Sequence, residues 1–126
     1  MTAIGHVNFR LPTGSEQVAE EFWCGLMGFT RLPKPAGNTH PGMWFTRGSF
    51  EVHVSPDDDF VPVTRAHTAF VVEGITELSR KLGESGYKVN VSKGTPEEVV
   101  ACFVADPFGN RLELISPEEA TRDQAH

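Results

Sequence analysis

The chain consists of two weakly similar halves, and this internal repeat limits the folds open to it more than any other feature. Residues 6–11 align with residues 67–72 at an offset of 67 − 6 = 61 positions, and both blocks start with a histidine. In each half a helical pattern follows and ends at a glycine beside an aromatic residue, Gly28-Phe29 and Gly86-Tyr87. A period of about 60 residues exceeds that of solenoid repeats, which indicates duplication of one supersecondary unit.

Hydrophobic periodicity predicts the same order of elements in both halves, strand-helix-strand-strand-strand. The predicted strands are residues 4–11, 29–34, 43–47 and 50–54 in the first half, and 66–73, 87–92, 99–105 and 111–116 in the second. Thr13 and Glu16 form a capping-box pattern, with Thr13 as the predicted N-cap of the first helix.

We therefore predict an α+β fold in which residues 1–126 form a single domain of two βαβββ modules. The modules cover residues 4–55 and 66–116. The polar tail at 117–126, including His126, is expected to fray. A turn at Gly94-Thr95-Pro96 is expected before the third strand of the second module.

Charge and composition exclude several classes of partner. The formal charge of −6 argues against a nucleic-acid or anionic-membrane surface, since both partners are themselves negatively charged. No apolar run approaches the ~20 residues that a membrane helix needs, and no secretory signal is evident. Cys24 and Cys102 are expected to be buried thiols, and the aspartates at 57–59 a solvated turn rather than a calcium loop. We expect a cytoplasmic protein.

Strand alternation places the polar residues of both halves on one face. Successive side chains of a strand point to opposite sides, so the apolar residues of each strand define the face that the helices cover. In residues 4–11, Val7, Phe9 and Leu11 take the covered face. The residues predicted on the opposite faces are His6, Asn8, Arg10, Glu51, His53, Ser55, His67, Arg111 and Glu113.

The residue types on this face are those that bind divalent transition metals. Neutral imidazole and carboxylate are ligands that suit Zn, Ni, Co, Fe or Mn. A single histidine on a strand is more often a hydrogen-bonded surface residue than a ligand. Several such residues at repeat-related positions favour a shared metal site instead.

These features together resemble the vicinal oxygen chelate superfamily, which contains glyoxalases, bleomycin resistance proteins and dioxygenases. The resemblance covers residues 4–116, and its most specific motif is DPFGNRLEL at residues 106–114. Further marks are residues 4–7, 22–29 and 66–70. The resemblance implies that the modules form a cupped mixed sheet, that the chain forms a homodimer, and that it binds a small-molecule substrate.

The resemblance also implies which residues bind a divalent metal ion. Metal-binding members take ligands from the first and last strand of each module, positions that correspond here to His6, His67 and Glu113. The last strand of the first module offers His53 or Glu51 as the fourth ligand, and both have the required parity. We favour His53, because family sequences often carry a histidine in this Val-His-Val context. The site forms either within one chain or across a swapped dimer.

The sequence departs from the better-defined branches of the superfamily. It lacks an obvious set of glutathione-binding residues of the kind that lactoylglutathione lyases carry. Asn8 stands where fosfomycin-type resistance enzymes tend to have threonine, and their cation-loop pattern is not apparent. Extradiol dioxygenases are generally much longer. The sequence therefore indicates the scaffold and the site chemistry but does not name the substrate.

The favoured hypothesis is a metal-dependent enzyme of the isomerase or lyase type that chelates vicinal oxygens of a small substrate. The metal would act as a Lewis acid, and Glu113 or Glu51 would serve as the catalytic base. The candidate substrate-binding residues are Asn8, Arg10, Trp44, Phe103 and Arg111.

Other functions are compatible with the same scaffold. One is a metal-free protein that sequesters a flat small molecule, with Trp44 and Phe103 as stacking surfaces. Another is a dioxygenase-type or thiol-transferase resistance enzyme. A third possibility is that the site is vestigial and that its histidines only form water-mediated hydrogen bonds with one another. An effect of chelator on ligand affinity would separate the metal-dependent functions from the metal-free one.

Overall fold

The computed structural model describes residues 1–94 and 98–124, with side chains described up to residue 121. The chain divides into two compact units, Met1–Pro62 and Val63–His126. Each unit contains one βαβββ module with a four-stranded mixed sheet, which confirms the predicted α+β class and order of elements. Within the described residues, no helix combines the length and apolar character needed to cross a membrane.

The first strand of the first module lies at the edge of the four-stranded sheet of that module. Its elements are β1 (His6–Pro12), α1 (Glu16–Glu20), β2 (Thr30–Leu32), β3 (Met43–Arg47) and β4 (Phe50–Asp57). Helix α1 continues into a π-helical segment, Glu21–Leu26, and the helical structure stops before Gly28, as predicted. The sheet order is β1-β4-β3-β2, with β1 and β4 parallel and the other pairs antiparallel.

The second module repeats this topology. Its elements are β5 (Thr68–Val71), α2 (Ile75–Glu84), β6 (Asn90–Lys93), β7 (Val99–Ala105), β8 (Arg111–Ile115) and α3 (Pro117–Gln124). The sheet order is β5-β8-β7-β6, again with the first and last strands of the module parallel. The first and last strand of each module are therefore neighbours, although a helix and two other strands lie between them in the sequence.

Alternation along the strands separates an apolar core from a polar face in each module, as predicted. In the first module Val52 is fully buried, and Phe9 stacks on Trp23 with 5.5 Å between ring centroids. In the second module Leu112 and Leu114 are fully buried. Burial of these side chains stabilises each module by roughly 1.5–3 kcal/mol per large apolar residue. The polar side chains of the same strands remain on the opposite faces.

The start of the first helix differs from the prediction. Its N-cap is Ser15 rather than Thr13, and no side chain caps the helix by a hydrogen bond. The Thr13 hydroxyl instead donates to the Asp58 carboxylate, which lies in the turn after β4. The predicted capping box is wrong because a partner distant in sequence competes for the threonine side chain.

The polar segment after β8 also differs from the prediction, since residues 117–124 form helix α3 instead of fraying. The Ser116 hydroxyl accepts a hydrogen bond from the backbone N–H of Glu119. Strand β5 starts at Thr68, so His67 lies immediately before the strand and not within it. The predicted turn at Gly94-Thr95-Pro96 and His126 fall partly or wholly outside the described residues.

A buried polar turn connects the start of the second module to β8. The Asp106 carboxylate accepts hydrogen bonds from the backbone N–H groups of Phe108 and Asn110 and from the Asn110 side chain. Asn110 Oδ1 in turn accepts a bond from the N–H of Val63. Burial raises the pKa of the Asp106 carboxyl group, and these hydrogen bonds oppose that effect.

Asp106→Ala is expected to lower the free energy of unfolding by about 2–4 kcal/mol, because it leaves several buried donors without an acceptor. Urea denaturation would measure the loss. Asp59→Ala is the matched control, because Asp59 is an exposed aspartate in the other acidic turn. Equal stability of the two variants would contradict a structural role for the buried turn.

Candidate functional site

Three aromatic rings stack across neighbouring strands of the first module. His53 on β4 stacks on His6 of β1, with 3.8 Å between ring centroids and 14° between ring planes. It also stacks on Trp44 of β3, at 4.4 Å and 7°. We call His6, His53 and Trp44 the ring stack. Its central member is 8% exposed, one of the few buried polar residues, which fixes the orientation of that imidazole.

Glu51 is hydrogen-bonded to the ring stack. Its Oε1 lies 2.9 Å from His53 Nε2, and the two side chains are 37% and 10% exposed. A carboxylate accepts, so Nε2 carries a proton and donates it to Glu51. In the neutral imidazole of His53, the lone pair is then on Nδ1.

A polar pair continues the same face. The Asn8 side-chain amide donates to the Ser55 hydroxyl over 2.9 Å. Ser55 is the register partner of Arg10, whose side chain lies on the same side of β1. Alternation along β4 placed Ser55 on this face, but its hydroxyl offered no reason to select it as a site residue.

In the second module a histidine and a carboxylate are in direct contact. His67 Nε2 lies 3.1 Å from Glu113 Oε1, with the side chains 33% and 23% exposed. The other ring nitrogen, Nδ1, lies 3.0 Å from the backbone carbonyl oxygen of Arg65. Sequence reasoning missed this carbonyl group, because every residue has one and no side-chain type marks it.

Phe103 and Arg111 complete this cluster. The Phe103 ring meets the His67 ring edge-on, with 5.2 Å between centroids and 87° between planes. The Arg111 guanidinium lies over the face of Phe103, 4.0 Å from the ring centroid. The predicted residues His67, Phe103, Arg111 and Glu113 are thus brought together within one module.

Strand register shows which residues occupy equivalent positions in the two modules. Asn8, His53 and Trp44 are register partners on adjacent strands of the first module, and the corresponding residues of the second are Ala69, Glu113 and Phe103. Asn8 and Ala69 each lie two positions after the histidine that starts the repeat. His53 is therefore the positional equivalent of Glu113. By the same count, Glu51 is the equivalent of Arg111.

No group of three or more His, Cys, Asp or Glu side chains in the described part of the chain is arranged to hold a metal ion. The ring stack explains part of this result. The rings of His6 and His53 are nearly parallel, so their nitrogen lone pairs lie in separate planes and do not converge. Both imidazoles could bind one ion only after one ring turns about its side-chain torsions.

The two thiols differ from the site residues in their chemistry. Burial and the nearby Glu113 carboxylate raise the pKa of Cys102 to about 11. Burial also raises the pKa of Cys24. Only a small fraction of either thiol is ionised near neutral pH, and the thiolate is the form that attacks or binds metal. Cys102 is buried, as predicted, whereas Cys24 is only half-buried because its side chain keeps part of its surface in solvent.

A cleft of about 560 Å³ lies elsewhere in the second module, at the start of α2 and α3. Its lining includes residues 72–77 and the carboxylates Glu98 and Glu118, and none of the predicted site residues. Four of its lining residues are glutamates: Glu73, Glu77, Glu98 and Glu118. We place the candidate site on the polar sheet faces and not in this cleft.

Each module has a mixed sheet in which the strands follow the order first, last, third, second, and each module has a histidine near its start. This repeated topology is the basis for comparison with known proteins. The model of the Glyoxalase/Bleomycin resistance protein/Dioxygenase superfamily matches residues 3–114. The chain belongs to this superfamily. No functionally curated protein matches the chain.

Solved structures share the fold along almost the whole chain. A Bacillus anthracis protein assigned to the glyoxalase family is 34% identical, with a TM-score of 0.81 over 92% of this chain and 95% of its own. TnmS3, an antibiotic-binding protein from Streptomyces, is 21% identical, with a TM-score of 0.67 over 93% of this chain and 99% of its own. The fosfomycin resistance protein FosX from Listeria monocytogenes is 12% identical, with a TM-score of 0.69 over 92% and 91%.

Proposed function

We propose that the protein is a divalent-metal-dependent enzyme that acts on a small oxygenated molecule by isomerase or lyase chemistry. The proposed ligands are His6, His53, His67 and Glu113, drawn from both modules. Members of the superfamily often use divalent metals. The observation that carries the proposal is the contact between His67 and Glu113.

Both ring nitrogens of His67 face hydrogen-bond acceptors. Its Nδ1 faces the carbonyl oxygen of Arg65, and its Nε2 lies 3.1 Å from Glu113 Oε1. A neutral ring carries only one N–H, so when Nδ1 donates to Arg65, Nε2 presents a lone pair to the carboxylate. Two lone pairs at this distance repel unless a proton or a metal cation lies between them. A carbonyl group at the far nitrogen is also a common way to orient a metal-binding histidine.

The distances and donor types fit a transition metal. Two ligand atoms that each lie about 2.1 Å from an ion and subtend a right angle are about 3 Å apart. The pair formed by His67 and Glu113 has this separation. In the first module, register favours His53 over Glu51 as the fourth ligand. Glu51 then supports His53 by accepting its Nε2 proton, as carboxylates do behind metal-bound histidines.

A bound divalent ion would supply Lewis acidity for negative charge that develops on the substrate oxygens. Glu113 and Glu51 are the proposed proton acceptors, because both carboxylates lie on the polar face and are partly accessible to solvent. Asn8, Arg10 and Trp44 are proposed to contact the substrate from the first module. Phe103 and Arg111 are proposed to do so from the second.

Protein purified without a nickel column is expected to contain near-stoichiometric divalent transition metal by elemental analysis. The double variant His6→Ala/Glu113→Ala is expected to lose it, because two of the four proposed ligands are removed. His40→Ala is the matched control, since it removes an exposed loop histidine outside the polar face. Wild-type protein that neither contains metal nor gains thermal stability with added divalent ions would contradict the proposal.

A second candidate function is metal-free sequestration of a flat small molecule. The observation in its favour is that Trp44 and Phe103 occupy equivalent positions and that both residues are only partly buried. TnmS3, which shares the fold, is an antibiotic-binding protein. A ligand whose affinity is the same with and without chelator would favour this function over the enzyme.

We further propose that the protein works as a homodimer. Mixing a His6→Ala variant with a His67→Ala variant tests whether the site uses residues of two chains. Recovery of part of the metal content in the mixture is expected if each site takes one module from each chain. A mixture that stays without metal would assign each site to a single chain, and sedimentation analysis would report the dimer itself.

A further inference from the structure

The Arg111 side chain is a cation with no anionic partner among the described residues of its module. Among the described residues, its guanidinium makes no hydrogen bond or ion pair. Its one recorded interaction there is a cation–π contact with the Phe103 ring. The nearest carboxylate along the strand, Glu113, is paired with His67 instead. The N–H groups of this half-buried guanidinium are therefore not used by any other described residue of the module, and they are available to a ligand.

The Phe103 ring determines how the guanidinium is presented. A guanidinium stacked on an aromatic face keeps its N–H groups in the plane parallel to the ring, where they point outward. Stacking also restricts the flexible arginine side chain, so less conformational entropy is lost when an anion binds. The same ring touches His67, which places the guanidinium on the face that carries the His67–Glu113 pair.

The equivalent position of the first module shows that this arrangement is particular to the second. Glu51 uses its carboxylate to accept a hydrogen bond from His53, two positions along the same strand. Arg111 does not reach its own neighbour two positions along, because it lies over Phe103. Because Arg111 does not pair along its strand as Glu51 does, its guanidinium N–H groups remain available for a ligand at the polar face.

We propose that Arg111 binds an oxyanion group of the substrate, so that the substrate class is small molecules carrying a carboxylate or phosphate-type group. The planar fork of arginine matches two oxygens of such a group. The net charge of −6 disfavours anions over the rest of the surface, so a dedicated cation is needed to attract one. This proposal rests on the proposed function for the reaction, but the anion contact itself does not require the metal.

The test is an NMR titration that follows the Arg111 side-chain Nε–Hε resonance. Acetate and inorganic phosphate are the probes, acetamide is the neutral analogue of acetate, and the series is repeated with and without Zn²⁺. A saturable shift with one or both anions and none with acetamide is expected. A response to acetate assigns a carboxylate, and a response to phosphate alone assigns a tetrahedral dianion.

Variants separate recognition from structure. Arg111→Gln is expected to abolish the saturable anion response of the surrounding amides, and Arg111→Lys to weaken it about tenfold through loss of one arm of the fork. Phe103→Leu removes the stacking surface and is expected to weaken anion binding while Arg111 remains. Arg80→Gln, which removes an exposed helix arginine paired with Glu77, is the control and should leave the response unchanged.

Equal anion responses in wild type and Arg111→Gln, or no saturable response in wild type, would overturn the proposal. Metal content is measured on the same samples. Loss of anion binding with retained metal separates this proposal from the metal proposal. Failure to bind metal with an intact anion response would contradict the proposed enzyme alone.

Discussion

Gly42→Ala is expected to lower the free energy of unfolding by about 3 kcal/mol. A Cβ atom at this position would lie 2.3 Å from the carbonyl oxygen of Val54, and the backbone has φ of +122°, which L side chains rarely adopt. The obstacle is backbone of a central strand, so it cannot move aside as a flexible side chain would. The same strand carries His53 one residue earlier, so the variant is also expected to disturb the ring stack.

Gly37→Ala provides the matched comparison in the same loop. Gly37 also has a positive φ, of +91°, but an added Cβ would meet nothing within 4 Å. It should therefore cost only the backbone strain, about 1–2 kcal/mol. Urea denaturation of both variants measures the difference. Equal losses would mean that the loop does not approach β4 as closely as described.

Glu113→Gln is expected to weaken divalent metal binding by at least about 100-fold. Glutamine keeps the volume and one oxygen, so packing against His67 is retained, but the negative charge that attracts the cation is lost. Competition with a chromophoric chelator would measure the affinity. Glu84→Gln, which removes an exposed helix carboxylate paired with Arg80, is the control.

Unchanged affinity in Glu113→Gln would remove Glu113 from the ligand set. A parallel pair, His53→Gln and Glu51→Gln, resolves the fourth ligand by the same measurement. The larger loss is expected for His53→Gln, because His53 is the positional equivalent of Glu113. The smaller loss for Glu51→Gln would reflect its supporting hydrogen bond, worth about 10–100-fold.

The faces of the strands were predictable from the sequence because alternation is a local property. Val7 and Phe9 point one way and His6 and Asn8 the other whatever the rest of the chain does. The repeat extended this reasoning to the second module, where Arg111 and Glu113 lie on the polar side. Local periodicity thus predicted the class of fold and the face of each strand on which the candidate residues lie.

The partners within each face were not predictable in the same way. Whether His6 stacks on His53 or approaches Glu51 depends on the register between β1 and β4, which are separated by about forty residues of chain. The position of Arg111 over Phe103 likewise depends on the pairing of β7 with β8. Such contacts follow from tertiary structure, and alternation alone carries no information about them.

Helix α3 is a different case, because the sequence does contain its signal. Ser116 is followed by Pro117 at the first helical position and by Glu119 three residues on, the pattern of a helix N-terminus. The polar composition of the segment outweighed that pattern in the prediction. At the first helix the opposite error occurred, since Thr13 and Glu16 matched the capping pattern while the Thr13 hydroxyl binds Asp58.

The equivalence of Glu51 and Arg111 has a consequence for symmetry. Two identical modules would present the same groups, and a ligand would have no preference between them. Here one module carries a carboxylate and the other a guanidinium at the same register position. The proposed anion contact of Arg111 would therefore give an anionic group a preference for the second module over the first. Divergence of the repeat at this pair of positions would thus give two modules of the same topology different preferences for charged ligands.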